Sequence, residues 1–400
     1  MRKGWQTKTL GDVCDVMNGG TPKTGVPEYW DGNHRWITPA EMGKRLSPYV
    51  SDTERKITDL GLRDSSARIL PPNSVILSSR APIGHLVINT EPMGTNQGCK
   101  GLIPRSQIEH KFLYYYLSSI VDLLNSLGTG ATFKELSGGK LKEVTVPVPP
   151  LAEQQRIVGL LDEAFEVLAT AKANAEKNLQ NARALFESHL QSVFTQRGPG
   201  WVEKPLAELC ERITKGSSPK WQGISYVDAP GILFVTSENV GEYDILLEQP
   251  KYVEEKFNAK DKKSILNNGD VLTNIVGASI GRTAVFDRDD VANINQAVCL
   301  IRCEPHLLNN YYLTYLLNSP VFKQVLHDNE VNNARANLSL GFFSQLPVPM
   351  PPIPKQKEIV AKLDAFREET QRLARLYERK HAALEALKKS LLHQAFTGEL

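Results

Sequence analysis

Between Lys23 and Arg80 the chain carries Lys23, Arg35, Lys44, Arg45, Arg55, Lys56, Arg63, Arg68 and Arg80, interleaved with Trp30, Trp36 and Tyr49. Cations gathered on one face neutralise phosphates, and the planar paired donors of an arginine match a guanine edge where a lysine offers one point charge. Arg80 stands out because it sits in a Pro/Gly loop directly after the apolar run Ser74 to Leu77. Lys100 and Lys134 extend the candidate set of this half. In the second half the candidates are Lys215, Lys220, Arg282, Asn332, Asn333 and Arg335, with the Asn-rich stretch Asn329 to Asn337 suited to adenine edges. For each of these residues the alternative is a solvated loop surface or a plain turn.

Other chemistries fare worse. Glu54-x-Lys56 and Glu254-x-Lys256, each with an Asp upstream, have the look of metal-dependent nuclease remnants, but chance supplies such triplets in a chain with 47 basic and 45 acidic residues. An amino-methyltransferase would need a Gly-rich cofactor loop and an Asn/Asp-Pro-Pro-aromatic tetrapeptide around the flipped base, and every Pro-Pro here has other neighbours. Gly128-x-Gly130 lacks the spacing and the following Lys-Ser/Thr of a phosphate loop. The five cysteines form no C-x-x-C pair and the eight histidines no H-E-x-x-H, so neither a disulfide nor a metal site is expected. Cys14 and Cys210, at matched positions, read as small core residues. Any catalytic parts are expected on other chains.

Four hundred residues, 41% hydrophobic and 23% charged, suit a globular chain of two to four domains. With a formal net charge of only +2, a nucleic-acid footprint has to arise from local clustering. No apolar run approaches the ~18 residues of a membrane span, and Met1-Arg2-Lys3-Gly4-Trp5 leads into a polar stretch, so the expected location is the cytoplasm, away from membranes.

The elements that would position these residues are repeated, with a period close to half the chain. Gly4-Trp5, Lys8, Leu10 and Cys14 recur as Gly200-Trp201, Lys204, Leu206 and Cys210, and Gly20 with Pro22-Lys23 recurs as Gly216 with Pro219-Lys220. Ile83-Gly84 matches Ile280-Gly281, and Asn96-Gln97 matches Asn295-Gln296. A motif shared by both halves argues against reading different bases, and a structural hydrogen-bonding role for the Asn-Gln pairs is favoured. Each unit opens with short β-branched runs, Gly/Pro/Asn turns and one aromatic-rich helix candidate, around Phe112 to Ser119 and Tyr311 to Asn318. A proline-rich hinge follows, Pro147 to Pro150 and Pro347 to Pro352, where missing amide donors favour an extended segment over a strand or helix interior.

Beyond each hinge the sequence predicts a long helix. Ile359, Leu363, Phe366, Thr370, Leu373, Tyr377, Lys380, Leu384, Leu387 and Leu391 alternate steps of four and three, the seam of a coiled coil. The first copy offers Ile157, Leu161, Ala164, Leu168, Ala171, Ala175, Asn178, Ala182, Leu185 and His189 in the same register. Small residues facing large ones suggest that the helices pair. A helix of roughly forty residues at ~1.5 Å each carries the chain about 60 Å before Gly198-Pro199-Gly200 breaks it, so a returning second helix makes the pair antiparallel. The expected division is 1–150 and 198–352 for the two α/β domains, with 151–197 and 353–400 as spacer helices.

Pro149-Pro150-Leu151-Ala152-Glu153-Gln154 before a long helix, its echo Pro351-Pro352-Ile353-Pro354-Lys355-Gln356, the loop Ser79-Arg80-Ala81-Pro82-Ile83-Gly84 and the closing Ala395-Phe396-Thr397-Gly398-Glu399-Leu400 resemble the specificity subunit of a type I restriction-modification system. The second copy departs from the pattern, with Val276-Gly277-Ala278-Ser279 in place of the arginine loop, which puts equal roles for the two loops in doubt. The resemblance implies an α/β fold of two pseudo-symmetric target-recognition domains joined by two long helices in an antiparallel coiled coil. It further implies that each domain reads one half of a bipartite, non-palindromic site in double-stranded DNA. Helix pairing and partner docking would fall to Ile157, Leu161, Leu168, Leu185, Ile359, Leu363, Phe366, Leu373, Leu384 and Leu387. Two modification (methyltransferase) subunits and restriction/translocase subunits would be the partners. S-adenosylmethionine, and ATP with Mg for restriction, would be bound by those partners and no cofactor by this chain.

Overall fold

The computed structural model describes residues 4–80, 82–130, 134–229, 231–329 and 337–400. The chain divides into two units, one of Met1–Ala175 with Arg379–Leu400 and the other of Glu176–Glu378. The first unit is built on a five-stranded sheet in the order Cys14–Asn18, Cys99–Pro104, Val75–Ser79, Ile83–Asn89, Tyr49–Val50. Val75–Ser79 is buried along its whole length, the apolar Val75–Leu77 as expected inside a sheet and Ser78 donating to the carbonyl of Pro82 at 2.8 Å. A second sheet orders Arg55–Ile57, Trp30–Ile37, Met93–Thr95 and Ile69–Leu70. The helix His110–Ser119 covers the first sheet with Phe112, Leu113 and Leu117, all buried.

The second unit repeats the central order strand for strand: Cys210–Lys215, Val298–Cys303, Asp270–Asn274, Thr283–Phe286. Its covering helix is Asn310–Asn318. The proline hinges correct the sequence expectation. Thr145–Val148 is a strand that pairs antiparallel with Gln6–Thr9, Pro147 lying opposite Thr7, and Pro347–Met350 pairs in the same way with Val202–Pro205. Each ribbon has only two strands, so a proline can turn its donorless nitrogen outward and lose no ladder bond.

The long helices are Leu151–Thr195 and Ile353–Thr397, 45 residues each. Within the first unit they run antiparallel: Arg156 donates to the carbonyl of Leu400, and Lys172 meets Glu385 at 2.7 Å. In the second unit Arg183 meets Glu378 at 2.9 Å while His189, further along, stacks edge-on against Phe366, further back. Ile157, Leu161 and Leu363 are buried as expected, and Leu168, Ile359, Phe366, Leu373 and Leu384 are half-buried. Leu185 and Leu387 are not in the seam: they stand 50% and 47% exposed. Past Ala182 the buried positions are Leu190 and Phe194, with half-buried Phe186 between; past Tyr377, half-buried His381 and Leu384 lead to buried Leu392 and Ala395, while exposed Lys388 lies over the Phe165 ring. A straight helix of 3.6 residues per turn drifts ~20° per heptad, and here the stripe slips by one residue instead of being held by supercoiling.

The two heads are tied to these helices by one device used twice. Gln154, fully buried, accepts from the amide of Glu109 at 2.8 Å and donates to the carbonyls of Gln107 and Pro149 at 2.9 and 2.8 Å. Gln356 repeats this with Asn309, Leu307 and Pro351 at 2.8, 3.0 and 2.9 Å. A second tie joins Tyr115 to Asp162 and Tyr315 to Asp364, both at 2.5 Å.

Candidate nucleic-acid interface

In each head a basic loop hangs from a glycine pressed onto the Asn-Gln turn. A Cβ on Gly19 would meet the carbonyl oxygen of Asn96 at 1.9 Å, and one on Gly216, the repeat equivalent of the adjacent Gly20, would meet that of Ile294 at 1.8 Å, so only glycine fits at either root. The turns are closed by Asn96 accepting from the amide of Gly98 at 2.8 Å and by Asn295 accepting from Ala297 at 3.0 Å. Asn96 also donates to Thr21 of the basic loop at 3.1 Å. The Asn residues thus hold backbone, as their repetition suggested.

In the first head the loop carries exposed Lys23, and two indoles brace it from below: Trp36 donates to Gly20 at 2.9 Å and Trp30 to Lys23 at 3.3 Å. Both rings are buried and meet edge to face at 5.2 Å, with Arg55 stacked on Trp30 at 3.7 Å. The tryptophans interleaved with the cations are therefore core. Arg80 lies against the Asn96–Gly98 turn, where a Cβ on Gly98 would come within 3.1 Å of its Nε. Glu135 faces it: Arg80 and Lys100 both approach this carboxylate at 3.9 Å, beyond hydrogen-bond length. Lys100 is a correction, because it is 5% exposed within its strand and cannot reach a phosphate without leaving the sheet. Nothing in the sequence marked Glu135 as the counter-charge, since the two meet only through the bridges that join Glu135 to Arg80 and Thr129.

Arg35 is paired with Asp52 at 3.4 Å and Lys44 with Glu54 at 3.4 Å, both exchangeable surface pairs. Lys134 is exposed. Glu54 and Lys56 are committed to Lys44 and Asp52, and Glu254 to Lys256, so neither triplet forms an acidic metal cradle. Among the described residues no group of three or more His, Cys, Asp or Glu is placed to hold a metal ion. Burial pushes the thiols of Cys14 and Cys99 up to about 12, the chemistry of inert core residues. No helix among the described residues is long and apolar enough to cross a membrane.

In the second head Lys220 and Arg282 are exposed and Lys215 is half-buried at the end of its strand; among the described residues none of the three has an ion pair. Asn332, Asn333 and Arg335 lie outside the described residues. The segment after Gly216 is anchored by polar contacts: Ser217 donates to Asp261 at 2.5 Å, and Lys260 to the carbonyl of Gln222 at 2.7 Å. One aromatic residue of this segment, Trp221, was absent from the candidates. The signal was available, for it stands beside Lys220 at the repeat position of Thr24.

Comparison with known proteins gives one family. The type I restriction modification DNA specificity domain matches the chain twice, over residues 2–179 and 199–378. The type I restriction enzyme MjaIX specificity subunit of Methanocaldococcus jannaschii is 29% identical over 299 residues, covering 71% of this chain and 68% of that protein. The EcoBI specificity subunit of Escherichia coli is 26% identical over 353 residues, covering 82% and 74%. Among solved structures, a chain from work on complex assembly and conformational transition of the type I R-M system shares the fold with a TM-score of 0.81 at 20% identity, covering 100% of this chain and 99% of that one. The HsdS subunit from Thermoanaerobacter tengcongensis does so with 0.63 at 20% identity, covering 100% and 98%. With both halves matched at corresponding positions, the chain belongs to the type I restriction modification DNA specificity family and carries two copies of its domain.

Proposed function

We propose that this chain is the DNA-reading subunit of a type I restriction-modification complex, binding a bipartite, non-palindromic duplex site and performing no catalysis alone. The reading rests on one observation above the others: two copies of a DNA specificity domain share a scaffold but present different loops. Heads with different loops read different words, so a site with two unlike halves follows. Residues 1–150 and 198–352 would be the reading domains and 151–197 and 353–400 the spacers. Lys23, Arg80 and Lys134 would serve the first half-site, and Lys215, Lys220 and Arg282 the second.

Two modification subunits would dock on the helices, where Leu160, Val167, Leu185, Leu376 and Leu387 leave apolar surface in water. S-adenosylmethionine would be bound by those subunits, and ATP with Mg by restriction/translocase subunits in a complex that cuts; the working place would be the cytoplasm. A footprint tests the reading. Together with its modification partner, the chain should protect two short tracts on one duplex and lose affinity steeply as salt rises, as counterion release requires. A chain that protects none, or that transfers methyl groups or cuts DNA when purified alone, sinks it.

A further inference from the structure

Trp221 is the one tryptophan of the chain outside a core. Trp30 and Trp36 are buried, Trp5 and Trp201 pack against the two main apolar clusters, and Trp221 stands 82% exposed. The residues around it are pinned. Gln222 and Ile224 donate to the carbonyl of Pro219 at 3.0 Å each, and Gly223 closes the Lys220–Gln222 turn at φ +64°, in the left-handed region that favours glycine. Ile224 is buried with Ile232, Phe234, Val253 and Phe257, while Ser217, Asp261 and Lys260 hold the other side of the turn. A turn pinned at buried Pro219 and Ile224 that displays one indole loses little entropy when that indole meets a partner. The equivalent position in the first head is Thr24, so the feature belongs to the second head alone.

We propose that Trp221 is a specificity-determining DNA contact of the second head, its indole lying in the groove against base edges or a thymine methyl while Lys220 engages a phosphate. This rests on the DNA-reading role. Charge favours DNA over a protein partner. Lys220 has no ion pair among the described residues, and Glu254, which accepts from the amide of Ser225 in the same segment, is occupied by Lys256 at 2.6 Å. Apolar contact with base edges carries sequence information, whereas a lysine on a phosphate does not.

The test uses the full chain with its modification partner and two duplexes, one carrying the site mapped by methylome sequencing of the host and one scrambled. Trp221→Ala should weaken binding to the site by ~10-fold or more with little change on the scrambled duplex and an unchanged salt slope; Trp221→Phe should recover most of the loss. Lys220→Ala should instead weaken both duplexes alike and flatten the salt slope. A parent complex that prefers its site, beside a Trp221→Ala complex that prefers it equally, overturns the assignment of Trp221 alone. A parent that does not distinguish the duplexes overturns the DNA reading, and this proposal with it.

Discussion

The two heads agree in what is buried and disagree in what is displayed. The order of the four central strands, the glycine root of the basic loop, the Asn turn, the buried glutamine and the Tyr–Asp tie are the same in both. The loops are supported by opposite means. In the first head two indoles sit under the loop and donate to its backbone; in the second, Asp261 and Lys260 hold the loop with charge and the indole faces out. Cations differ too, since Arg35, Lys44 and Arg80 of the first head face carboxylates, while Lys215, Lys220 and Arg282 have no ion pair among the described residues. A frame shared by both heads fixes where a loop starts and leaves its outer face free to change, which is what reading two different words requires.

If the frame is common, breaking the same part in either head should cost the same. Gln154→Ala strips partners from the amide of Glu109 and the carbonyls of Gln107 and Pro149, and Gln356→Ala does so for Asn309, Leu307 and Pro351. Each buried group left unpaired costs ~1–3 kcal/mol, and partial relaxation brings the expected loss to roughly 3 kcal/mol per variant. Urea denaturation of the two variants is the measurement. A large loss in one and none in the other would mean that the heads are held by different means and that the shared frame is only apparent.

How much of this was legible in the sequence follows the same division. The repeat, the paired helices and the structural Asn-Gln turns came from periodicity and spacing, because burial forces the same residue types on the same faces. The seam slipped at Leu185 and Leu387 because a heptad count assumes 3.5 residues per turn where the helix keeps 3.6. Pro147 looked hostile to a strand until its ribbon proved to have a single partner strand. Lys100 and Trp221 exchanged places with expectation for a common reason: charge and aromaticity are readable in a sequence, but which side of a strand or turn faces water depends on neighbours far away in the chain.

A smaller effect separates the helix caps. The first head caps His110–Ser119 with Glu109, which accepts from the amide of Phe112 at 2.6 Å; the second caps Asn310–Asn318 with Asn309, which accepts from Tyr312 at 2.9 Å. Burial alone would raise the Glu109 carboxyl, but hydrogen bonds from His110 and from the amides of Lys111 and Phe112 outweigh it and hold the group below its ordinary value of 4.5. The folded form therefore gains stability from ionised Glu109 at all pH values above the ordinary carboxylate range, and loses it as pH falls through and below that range. The asparagine cap has no such proton. The protection of amides in His110–Ser119, taken relative to the intrinsic exchange rate at each pH, should fall on acidification more than in Asn310–Asn318, by roughly 1 kcal/mol, and Glu109→Asn should equalise them. Equal acid sensitivity in the parent would show that the caps do not distinguish the heads.

The finest discrimination concerns Glu135, which has the sign of a brake on the first head's cations. Its carboxylate sits 3.9 Å from both Arg80 and Lys100, close enough for attraction but too far for a hydrogen bond, so Arg80 is restrained rather than locked. Glu135→Gln removes one negative charge from beside Arg80 without changing the side chain's size. Affinity for a scrambled duplex at low salt should rise a few-fold, and the plot of log affinity against log salt should steepen by at most ~0.9, the equivalent of one added phosphate contact. Lys100→Met should leave that slope unchanged, because the lysine is 5% exposed and contributes through Glu135. Arg80→Met should flatten it. Salt titrations of the three variants decide the matter: if Lys100→Met flattens the slope as much as Arg80→Met, the buried ammonium reaches DNA after all. The first head would then read through its sheet, not through its loops, and the contrast with the second head would have to be drawn elsewhere.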